Sequence, residues 1–411
     1  MEQRLFSKDF ILVVIGQIIS LFGNATIRFA LPLYLLNNTG SSALFGMVTA
    51  CAFIPAILLS PIGGIVADKV NKRNIMVILD FITSIVIIIF FILFTKVNLI
   101  LLVTITLMIL FGIAGAYQPS VQASVPALVS PEQFMAANSI INTISAFSSL
   151  VGPVLGGILY STYGLKPVLL LCIICFLASA IMELFIKIPF IKQDRDIKMW
   201  ESIKQDFTES IHFIRRKKPV IGKGLIIVCG VNLFLSSMII VGLPYMVTEV
   251  LAFDTALANT LYSLAQGALA TGGLVGGIIS GIYAKKLTIK KSGNLILICS
   301  ICVFPMGMVL MFSQSELIAY MVMTACCFLI MIVSTIFTVE MMSFVQTETP
   351  QNLIGKVISV ILTVSMCTQP IGNTLYGILF EVFKGYEFAV ILFAGVSSLG
   401  IGIRAKEVFQ K

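Results

Sequence analysis

The sequence predicts an all-α membrane protein in which twelve transmembrane helices form two pseudo-symmetric six-helix bundles. Three observations lead to this fold class. The 411-residue chain is 58% hydrophobic and 11% charged, with a mean hydropathy of +1.05. Apolar segments long enough to cross a bilayer recur along its whole length. Several sequence elements of the first half also return in the second half at one shared spacing.

The composition argues against a large soluble protein. A water-soluble chain of this length needs a charged surface, and 11% of charged residues is too little to cover one. The bilayer must therefore provide much of the solvent. We expect no cleaved signal peptide, because no small-residue cleavage site follows the first apolar run, which itself would act as the targeting signal.

Dividing the chain into apolar runs of about 20 residues gives the predicted helices. They cover 10–36, 43–67, 75–95, 98–121, 134–160, 166–189, 221–247, 257–284, 292–313, 316–344, 353–380 and 386–404. Most connections between them are very short. The one long connection, 190–220, separates an N-terminal six-helix bundle (1–189) from a C-terminal six-helix bundle (221–411).

Positive charge is distributed unequally between the two sides of the predicted membrane domain. One side carries both termini, the turn after the second helix, the linker and the turn after the eighth helix, all of them basic. On the other side, basic and acidic residues nearly cancel. Because cytoplasmic loops are the basic ones, we expect a multi-pass cell-membrane protein with both termini cytoplasmic. This distribution explains the net charge of +8 without a nucleic-acid partner.

The cytoplasmic linker contains an amphipathic segment. Its apolar residues recur at helical spacing, with charged residues between them: Trp200, Ile203, Phe207, Ile211 and Ile214. This pattern predicts a helix that lies on the cytoplasmic membrane face. We interpret it as a strap that ties the two bundles together, with a regulatory role as the alternative.

The two halves of the chain share short sequence elements. Ser130-Pro131-Glu132-Gln133-Phe134 opens the fifth predicted helix, and Thr349-Pro350-Gln351-Asn352-Leu353 opens the eleventh. Gly157-Ile158-Leu159-Tyr160 closes the fifth helix, and Gly377-Ile378-Leu379-Phe380 closes the eleventh. The offset of about 220 residues is one six-helix unit, so the two bundles are expected to be related by a pseudo-twofold axis along the membrane normal.

A charged turn follows the second predicted helix. Such a short turn makes the flanking helices antiparallel neighbours, and its glycines allow them to approach closely. We predict a conformational latch, in which Arg73 and Asp80 lie two helical turns apart and can pair on one face. The latch residues are Gly64, Asp68, Lys72, Arg73 and Asp80.

Two motifs resemble the major facilitator superfamily. Gly64-x3-Asp68-x4-Arg73 resembles the signature of its loop between the second and third helices. Gly152-Pro153-x2-Gly156-Gly157, with Ser148 four residues earlier, resembles the fifth-helix motif of its drug/proton antiporters. The resemblance covers nearly the whole chain. It implies the major facilitator fold, alternating access, and export of an amphipathic small molecule in exchange for protons.

Further segments are similar to the antiporter branch that contains macrolide-efflux proteins and the enterobactin exporter. These are Pro126-Ala127-Leu128-Val129, Ala137-Asn138-Ser139, Asp80 and Gly355-Lys356-Val357. Two positions depart from the pattern of the family. Met108 occupies the place of a fourth-helix arginine, so coupling cannot use that arginine. Lys285 stands where the first half has Asp68, so the two halves cannot latch identically.

The central polar residues predict the substrate cavity. A cavity lined by amides, Phe and Met suits a bulky amphipathic compound better than a sugar or a small anion, although each amide could equally bond a neighbouring helix. Arg28 could line the cavity or reach the outer interface by snorkelling. The candidate cavity residues are Asn24, Arg28, Asn142, Asn232, Gln266, Gln369 and Asn373.

Two carboxylates are candidates for proton coupling. Asp80 and Glu340 are ionisable groups within apolar helices, where such groups are costly and usually functional. The alternatives are a pair between Asp80 and Arg73, and an interfacial role for Glu340. Glu183 is predicted to pair with Lys187, four residues later, at the interface. The spacing Gly273-x3-Gly277-x3-Gly281 predicts a packing seam on the eighth helix.

The sequence carries no constellation typical of an enzyme. Its nine cysteines lie in apolar segments as small fillers. No nucleophile–base pair, metal-ligand cluster or phosphate-binding loop is recognisable. We expect a monomeric transporter with no cofactor, catalytic residue or metal, whose partners are an amphipathic small molecule, protons and the lipid bilayer. The alternatives are an exporter of an endogenous siderophore- or lipid-like product, and a non-transporting membrane sensor or scaffold.

Overall fold

The computed structural model of the chain describes residues 7–130, 133–188, 207–283, 289, 292–313, 315–351 and 353–410. For residues 60–69, 119, 123, 126, 127 and 135 it describes the backbone and not the side chains. The described residues contain helices and no strands, which confirms the predicted all-α membrane fold.

Twelve helices in the described part of the chain are long and apolar enough to span a bilayer. In chain order they are α1 (Lys8–Thr39), α2 (Ser42–Lys69), α3 (Lys72–Leu93), α4 (Leu99–Leu128), α5 (Phe134–Tyr163), α6 (Leu165–Glu183), α7 (Pro219–Val250), α8 (Thr255–Ile282), α9 (Ser292–Phe312), α10 (Glu316–Glu348), α11 (Ile354–Val382) and α12 (Glu387–Gln410).

The connections are as short as the sequence predicts. Gly164 alone separates α5 from α6, and its φ of 78° lies in the left-handed region that favours glycine. Helix α7 contains one π-helical turn at Asn232–Ser236 and ends in a second, Met246–Val250. Such turns redirect a helix locally and occur often at functional sites.

Helix α6 is shorter than the predicted segment 166–189, because it ends at Glu183. The side chain of Arg73 explains this end. Its Nε donates to the backbone carbonyl of Glu183 at 3.4 Å, and its Nη2 donates to that of Leu184. A helix leaves its last carbonyls without partners, and a cation there also interacts favourably with the helix dipole.

The described chain forms two compact units. The first comprises Met1–Asn38, Cys51–Asp196 and Thr255–Ser263. In it α3 packs against α4 and α6, and a buried apolar cluster that includes Phe10, Met76 and Val121 fills the space near the start of α1.

The second unit comprises Thr39–Ala50, Ile197–Asp254 and Leu264–Lys411. Helix α9 packs against α10 and α12, and α7 packs against α11. The linker segment 207–217 is helical and belongs to this unit. Glu209 in the segment accepts from Lys356 Nζ of α11 at 2.8 Å. Of its predicted apolar face, Ile214 is buried and Phe207 is exposed, and Trp200 and Ile203 lie outside the described residues.

The glycine seam of α8 lies one residue away from the predicted positions. A Cβ added at Gly272 would lie 2.6 Å from the carbonyl oxygen of Phe328, and one at Gly276 would lie 2.5 Å from that of Ile332. A Cβ at Gly277 would meet nothing within 4 Å. The close approach to α10 therefore uses Gly272 and Gly276, and the predicted seam through Gly277 was wrong.

Candidate functional site

A buried polar cluster lies within the first unit, where α1, α3, α4 and α6 meet. Gln17 Nε2 donates to the hydroxyl of Tyr117 at 2.7 Å, and that hydroxyl donates to Glu183 Oε1 at 2.8 Å. A buried tyrosine hydroxyl and a buried amide both need partners, and each provides one for the other. Gln17 and Glu183 are fully buried, so this chain of bonds lies inside the protein.

Asp80 is the second carboxylate of this buried cluster. The hydroxyl of Ser20 donates to Asp80 Oδ1 at 2.9 Å, and Asp80 is 2% exposed. Asp80 and Glu183 are close enough to interact electrostatically with each other and with Tyr117. The four helices thus bring two acidic groups together around one hydroxyl.

Each carboxylate of the cluster keeps one oxygen without a hydrogen-bond partner among the described residues. These oxygens are Asp80 Oδ2 and Glu183 Oε2, and Gln17 Oε1 is in the same condition. None of the ion pairs of the described residues includes Asp80 or Glu183. A buried carboxylate with neither a cation nor a full set of donors has an uncompensated desolvation cost.

The expected pairs of these carboxylates are not formed. Arg73 contacts the end of α6 instead of Asp80. Glu183 is buried with Tyr117, whereas Lys187 lies beyond the end of α6, where its backbone N–H donates to Asp9 Oδ1 at 2.9 Å. Because α6 stops at Glu183, the two residues are no longer one helical turn apart on one face.

Arg28 occupies the same unit, about one turn past the middle of α1. Its guanidinium carbon lies 3.4 Å from the centre of the Phe111 ring in α4. The side chain is mostly buried. The described residues provide it with no carboxylate, and its buried Nε has no hydrogen-bond partner among them.

The contact with Phe111 compensates part of the cost of burying Arg28 but leaves its hydrogen-bond donors without acceptors among the described residues. A charged side chain at the centre of a spanning helix costs about 2.5–3.5 kcal/mol on insertion scales. A desolvated cation–π contact returns about 2 kcal/mol, so Phe111 offsets much of the cost. It does not, however, accept the five N–H donors of the guanidinium. Asn24, one turn earlier on the same face, also has a buried Oδ1 without a partner among the described residues.

Two of the predicted cavity amides, Asn232 and Gln369, bond between helices of the second unit, and a third, Asn373, contacts Gln369 within α11. Asn232 Nδ2 donates to the carbonyl of Ser365 at 3.1 Å. Gln369 Nε2 donates to the hydroxyl of Ser237 at 3.2 Å and faces Asn373 Oδ1 at 3.4 Å. These bonds join α11 to α7 at its first π-helical turn. The helix-bonding alternative therefore describes Asn232 and Gln369 better than a free position in a cavity.

The remaining predicted site residues lie on other helices. The cavity amide Asn142 on α5 is exposed, and the cavity amide Gln266 on α8 is half-buried. The coupling candidate Glu340 is buried in α10 and accepts from the hydroxyl of Ser292 in α9 at 2.6 Å. Glu340 belongs to the second unit, whereas Asp80 belongs to the first.

The fifth-helix motif is a surface of close helix contact. A Cβ added at Gly152 would lie 2.5 Å from Ala25 Cβ of α1, and one at Gly156 would lie 2.8 Å from Thr26 Cγ2. The hydroxyl of Thr26 donates to the Gly152 carbonyl at 3.2 Å. Pro153 lies inside the helix between them and removes one backbone donor.

An adjacent face of α5 packs against the first turns of α8. A Cβ added at Gly157 would lie 2.2 Å from Ser263 Cβ. Thr260 donates to the hydroxyl of Ser161 at 2.8 Å. Ser148, four residues before the glycines, is buried. Both contacts of α8 belong to the first unit.

The predicted latch is only partly described. Gly64 and Asp68 fall among the residues whose side chains lie outside the described part of the structure, and Lys285 lies outside it entirely. Lys72 is the first residue of α3 and is half-buried. Asn71 caps this helix, because its side chain accepts from the backbone N–H of Arg73 at 3.1 Å.

Sequence reasoning missed the three uncharged members of the carboxylate cluster, Gln17, Ser20 and Tyr117. None of them was singled out in the sequence, where they lie among the apolar residues of α1 and α4. A usable signal exists for Gln17 and Tyr117. Gln17 and Asn24 are seven residues apart, which places them on one helix face, and a tyrosine inside a spanning segment needs a partner for its hydroxyl.

Comparison with known proteins gives a consistent assignment. The Major Facilitator Superfamily model matches residues 13–401. Macrolide efflux protein A of Streptococcus pyogenes is 22% identical over 370 residues, covering 88% of this chain and 86% of that protein. The protein of the same name from Enterococcus faecalis is 23% identical over 343 residues, covering 80% and 99%.

Solved structures support the same fold at low sequence identity. The nucleoside transporter NupG superposes with a TM-score of 0.76 at 12% identity, over 98% of this chain and 100% of that one. A bacterial homologue of the iron transporter ferroportin, in an inward-facing state, gives a TM-score of 0.70 at 16% identity, over 96% and 98%. With the twelve spans and a family match over nearly its whole length, the chain belongs to the Major Facilitator Superfamily and is a multi-pass membrane transporter.

Proposed function

We propose that this transporter exports an amphipathic small molecule, of a drug- or macrolide-like kind, by proton antiport and alternating access. The observation that carries the proposal is the pair of buried, interacting carboxylates, Asp80, which accepts from Ser20, and Glu183, which accepts from Tyr117. Export is supported by the names of the relatives, two of which are macrolide efflux proteins similar over most of the chain.

The carboxylate cluster has the chemistry of a proton site. A proton can bind at Asp80 Oδ2 or Glu183 Oε2, the two oxygens that accept no hydrogen bond from described residues. Neutralising one acid would relieve the repulsion between two buried acids that have no cation. Because one cluster involves α1, α3, α4 and α6, a small movement of one helix would change its solvation and release the proton.

The proposal extends to the arrangement of the molecule. Helices α1 to α6 and α7 to α12 would form the two moving halves, with 190–220 as a strap, both termini cytoplasmic and the monomer as the functional unit. Export of an endogenous siderophore- or lipid-like product would use the same machinery. A sensor or scaffold role would not need two buried acids without a cation.

Reconstitution tests the proposal directly. Purified protein in proteoliposomes would be offered erythromycin, rhodamine 6G and fluorescein, and probe movement would be followed with and without an imposed pH gradient. We expect at least one probe to accumulate only on a gradient, with matching proton movement. Protein-free liposomes are the control. Gradient-independent movement of every transported probe would contradict proton antiport, and no movement of any would contradict export of this class.

Asp68 provides a separate prediction about the latch. We expect Asp68→Asn to abolish transport while leaving expression and probe binding intact, because a latch residue controls the change of state and does not contact the substrate. Asp254→Asn is the matched control, since Asp254 is exposed and its side chain makes no capping bond at α8. Transport by Asp68→Asn at the rate of the Asp254→Asn variant would contradict the role of Asp68 as a latch.

A further inference from the structure

We propose that Arg28, assisted by Asn24, binds an acidic group of the transported compound, so that the substrates are amphipathic organic anions. This inference rests on the proposed function as an exporter and narrows its amphipathic substrate class to acids, so that the amine-bearing erythromycin and the cationic rhodamine 6G would be poor substrates. The group recognised would be a carboxylate, sulfonate or phosphate attached to an apolar body.

The positions of the two residues fit one binding site. Asn24 and Arg28 are four residues apart on α1, so they lie one above the other on the same helix face. The guanidinium lies over the ring of Phe111, which meets that of Phe53 edge-on with centres 5.2 Å apart. A polar pair beside two aromatic rings is suited to a ligand with one charged end and one apolar end.

Arg28 has donors that the described protein does not use. Its Nε is buried without an acceptor, and no hydrogen bond or ion pair to a described residue involves the guanidinium. Guanidinium groups bind carboxylates and phosphates through two parallel hydrogen bonds. An anionic ligand would supply the acceptors that are missing, whereas an apolar ligand would leave the donors unsatisfied.

A cationic ligand is disfavoured by the same geometry. The face of Phe111 is where a ligand cation would bind, and Arg28 already covers it at 3.4 Å. A second positive charge beside this arginine would be repelled in a medium that screens poorly. The arrangement therefore selects acids over amines, although both can be amphipathic.

The carboxylate cluster does not neutralise this arginine. Ser20, which binds Asp80, precedes Arg28 by eight residues of α1, a rise of about 12 Å. Asp80 and Glu183 are engaged with Ser20 and Tyr117, and neither forms an ion pair with Arg28. The charge of Arg28 thus remains available to a ligand, while the proton site stays separate on the same helix.

Binding to two xanthene dyes of similar size and opposite charge tests the proposal. Full-length protein in phosphatidylcholine nanodiscs would be titrated with fluorescein, under alkaline conditions that keep it anionic, and with rhodamine 6G. Fluorescence anisotropy gives each affinity. We expect wild type to prefer fluorescein, and Arg28→Gln to weaken fluorescein binding about 10- to 100-fold, with rhodamine 6G binding unchanged or stronger.

Two variants and one labelling measurement make the result specific. Arg404→Gln removes a positive charge from an exposed ion pair with Glu407 and should leave both affinities unchanged. Arg28→Lys keeps the charge without the planar fork and should weaken fluorescein binding less than Arg28→Gln. If the glutamine variant does not fold, phenylglyoxal labelling of wild-type Arg28, mapped by mass spectrometry, should be protected by fluorescein and not by rhodamine 6G.

The outcomes separate this inference from the proposed function. Equal fluorescein affinity in folded Arg28→Gln, or wild type that binds only rhodamine 6G, would overturn the anion site even if export is demonstrated. Arg28-dependent fluorescein binding without gradient-driven movement of any probe would support the anion site and contradict the proposed proton-driven export. Fluorescein binding that is weaker in nanodiscs of phosphatidylglycerol than in nanodiscs of phosphatidylcholine, for wild type and not for Arg28→Gln, would also support the site. A lipid headgroup would then be the source of the acid.

Discussion

Glu183→Gln is expected to reduce proton-driven substrate accumulation to the level of protein-free liposomes while substrate exchange continues. The glutamine keeps the size and one carbonyl oxygen that can accept from Tyr117, whose hydroxyl lies 2.8 Å from Glu183 Oε1. It cannot, however, take up and release a proton. If the buried acid carries the coupling proton, the exchange of one substrate molecule for another does not require it, and net movement on a gradient does.

The measurement compares two modes of transport in the same proteoliposomes. Counterflow of a labelled probe against the unlabelled one reports alternating access, and accumulation on a pH gradient reports coupling. Asp80→Asn should behave as Glu183→Gln does, because both acids belong to one cluster. Glu340→Gln tests the other candidate, which binds Ser292 in the second unit.

Tyr117→Phe is the control for the structural part of the cluster. It removes the hydroxyl that connects Gln17 to Glu183 and leaves both acids in place. We expect coupling to weaken but persist in this variant. Full gradient-driven accumulation by both Glu183→Gln and Asp80→Asn would show that the proton travels elsewhere. Loss of accumulation only in Glu340→Gln would move the coupling site to the second unit.

The fold was predictable because hydropathy and helix length are properties of single segments. Each spanning helix satisfies its own backbone, so its existence does not depend on its neighbours. The end of α6 shows the limit of this reasoning. Apolar residues continue after Glu183, and the helix nevertheless stops there, where Arg73 of α3 binds its last carbonyls. A contact between residues 110 positions apart is invisible to local periodicity.

The candidate site was predictable in its residue types and less so in its partners. Asp80 was identified because an acid in an apolar segment is costly, and Arg28 for the same reason. Glu183 was placed at an interface because Lys187 follows at helical spacing, a pairing that fails once the helix ends. Which glycines of α8 contact α10 depends on how the two helices pack, and the contact uses Gly272 and not Gly273. Such facts belong to packing between helices and not to any one segment.

Gly157→Leu is expected to abolish transport by preventing the approach of α8 to α5. Its Cβ alone would lie 2.2 Å from Ser263 Cβ and 3.0 Å from Phe29 Cε1, so both neighbours must move. Overpacking of this kind costs about 1–3 kcal/mol, which changes a conformational equilibrium about 5- to 150-fold. A transporter that must form this contact in each cycle would then spend little time in the state in which α5 and α8 touch.

A cysteine pair reports this contact directly. Ser161→Cys with Thr260→Cys replaces two hydroxyls whose oxygens lie 2.8 Å apart, and the linked peptides can be detected by mass spectrometry. We expect the cross-link to form readily in the wild-type background and to be strongly reduced beside Gly157→Leu. Gly277→Leu is the matched control, because it adds the same side chain to a helix at a position where a Cβ meets nothing within 4 Å. Both transport and cross-linking should be retained in the Gly277→Leu variant. If Gly157→Leu cross-links and transports as Gly277→Leu does, α8 does not need the space that this glycine leaves on α5.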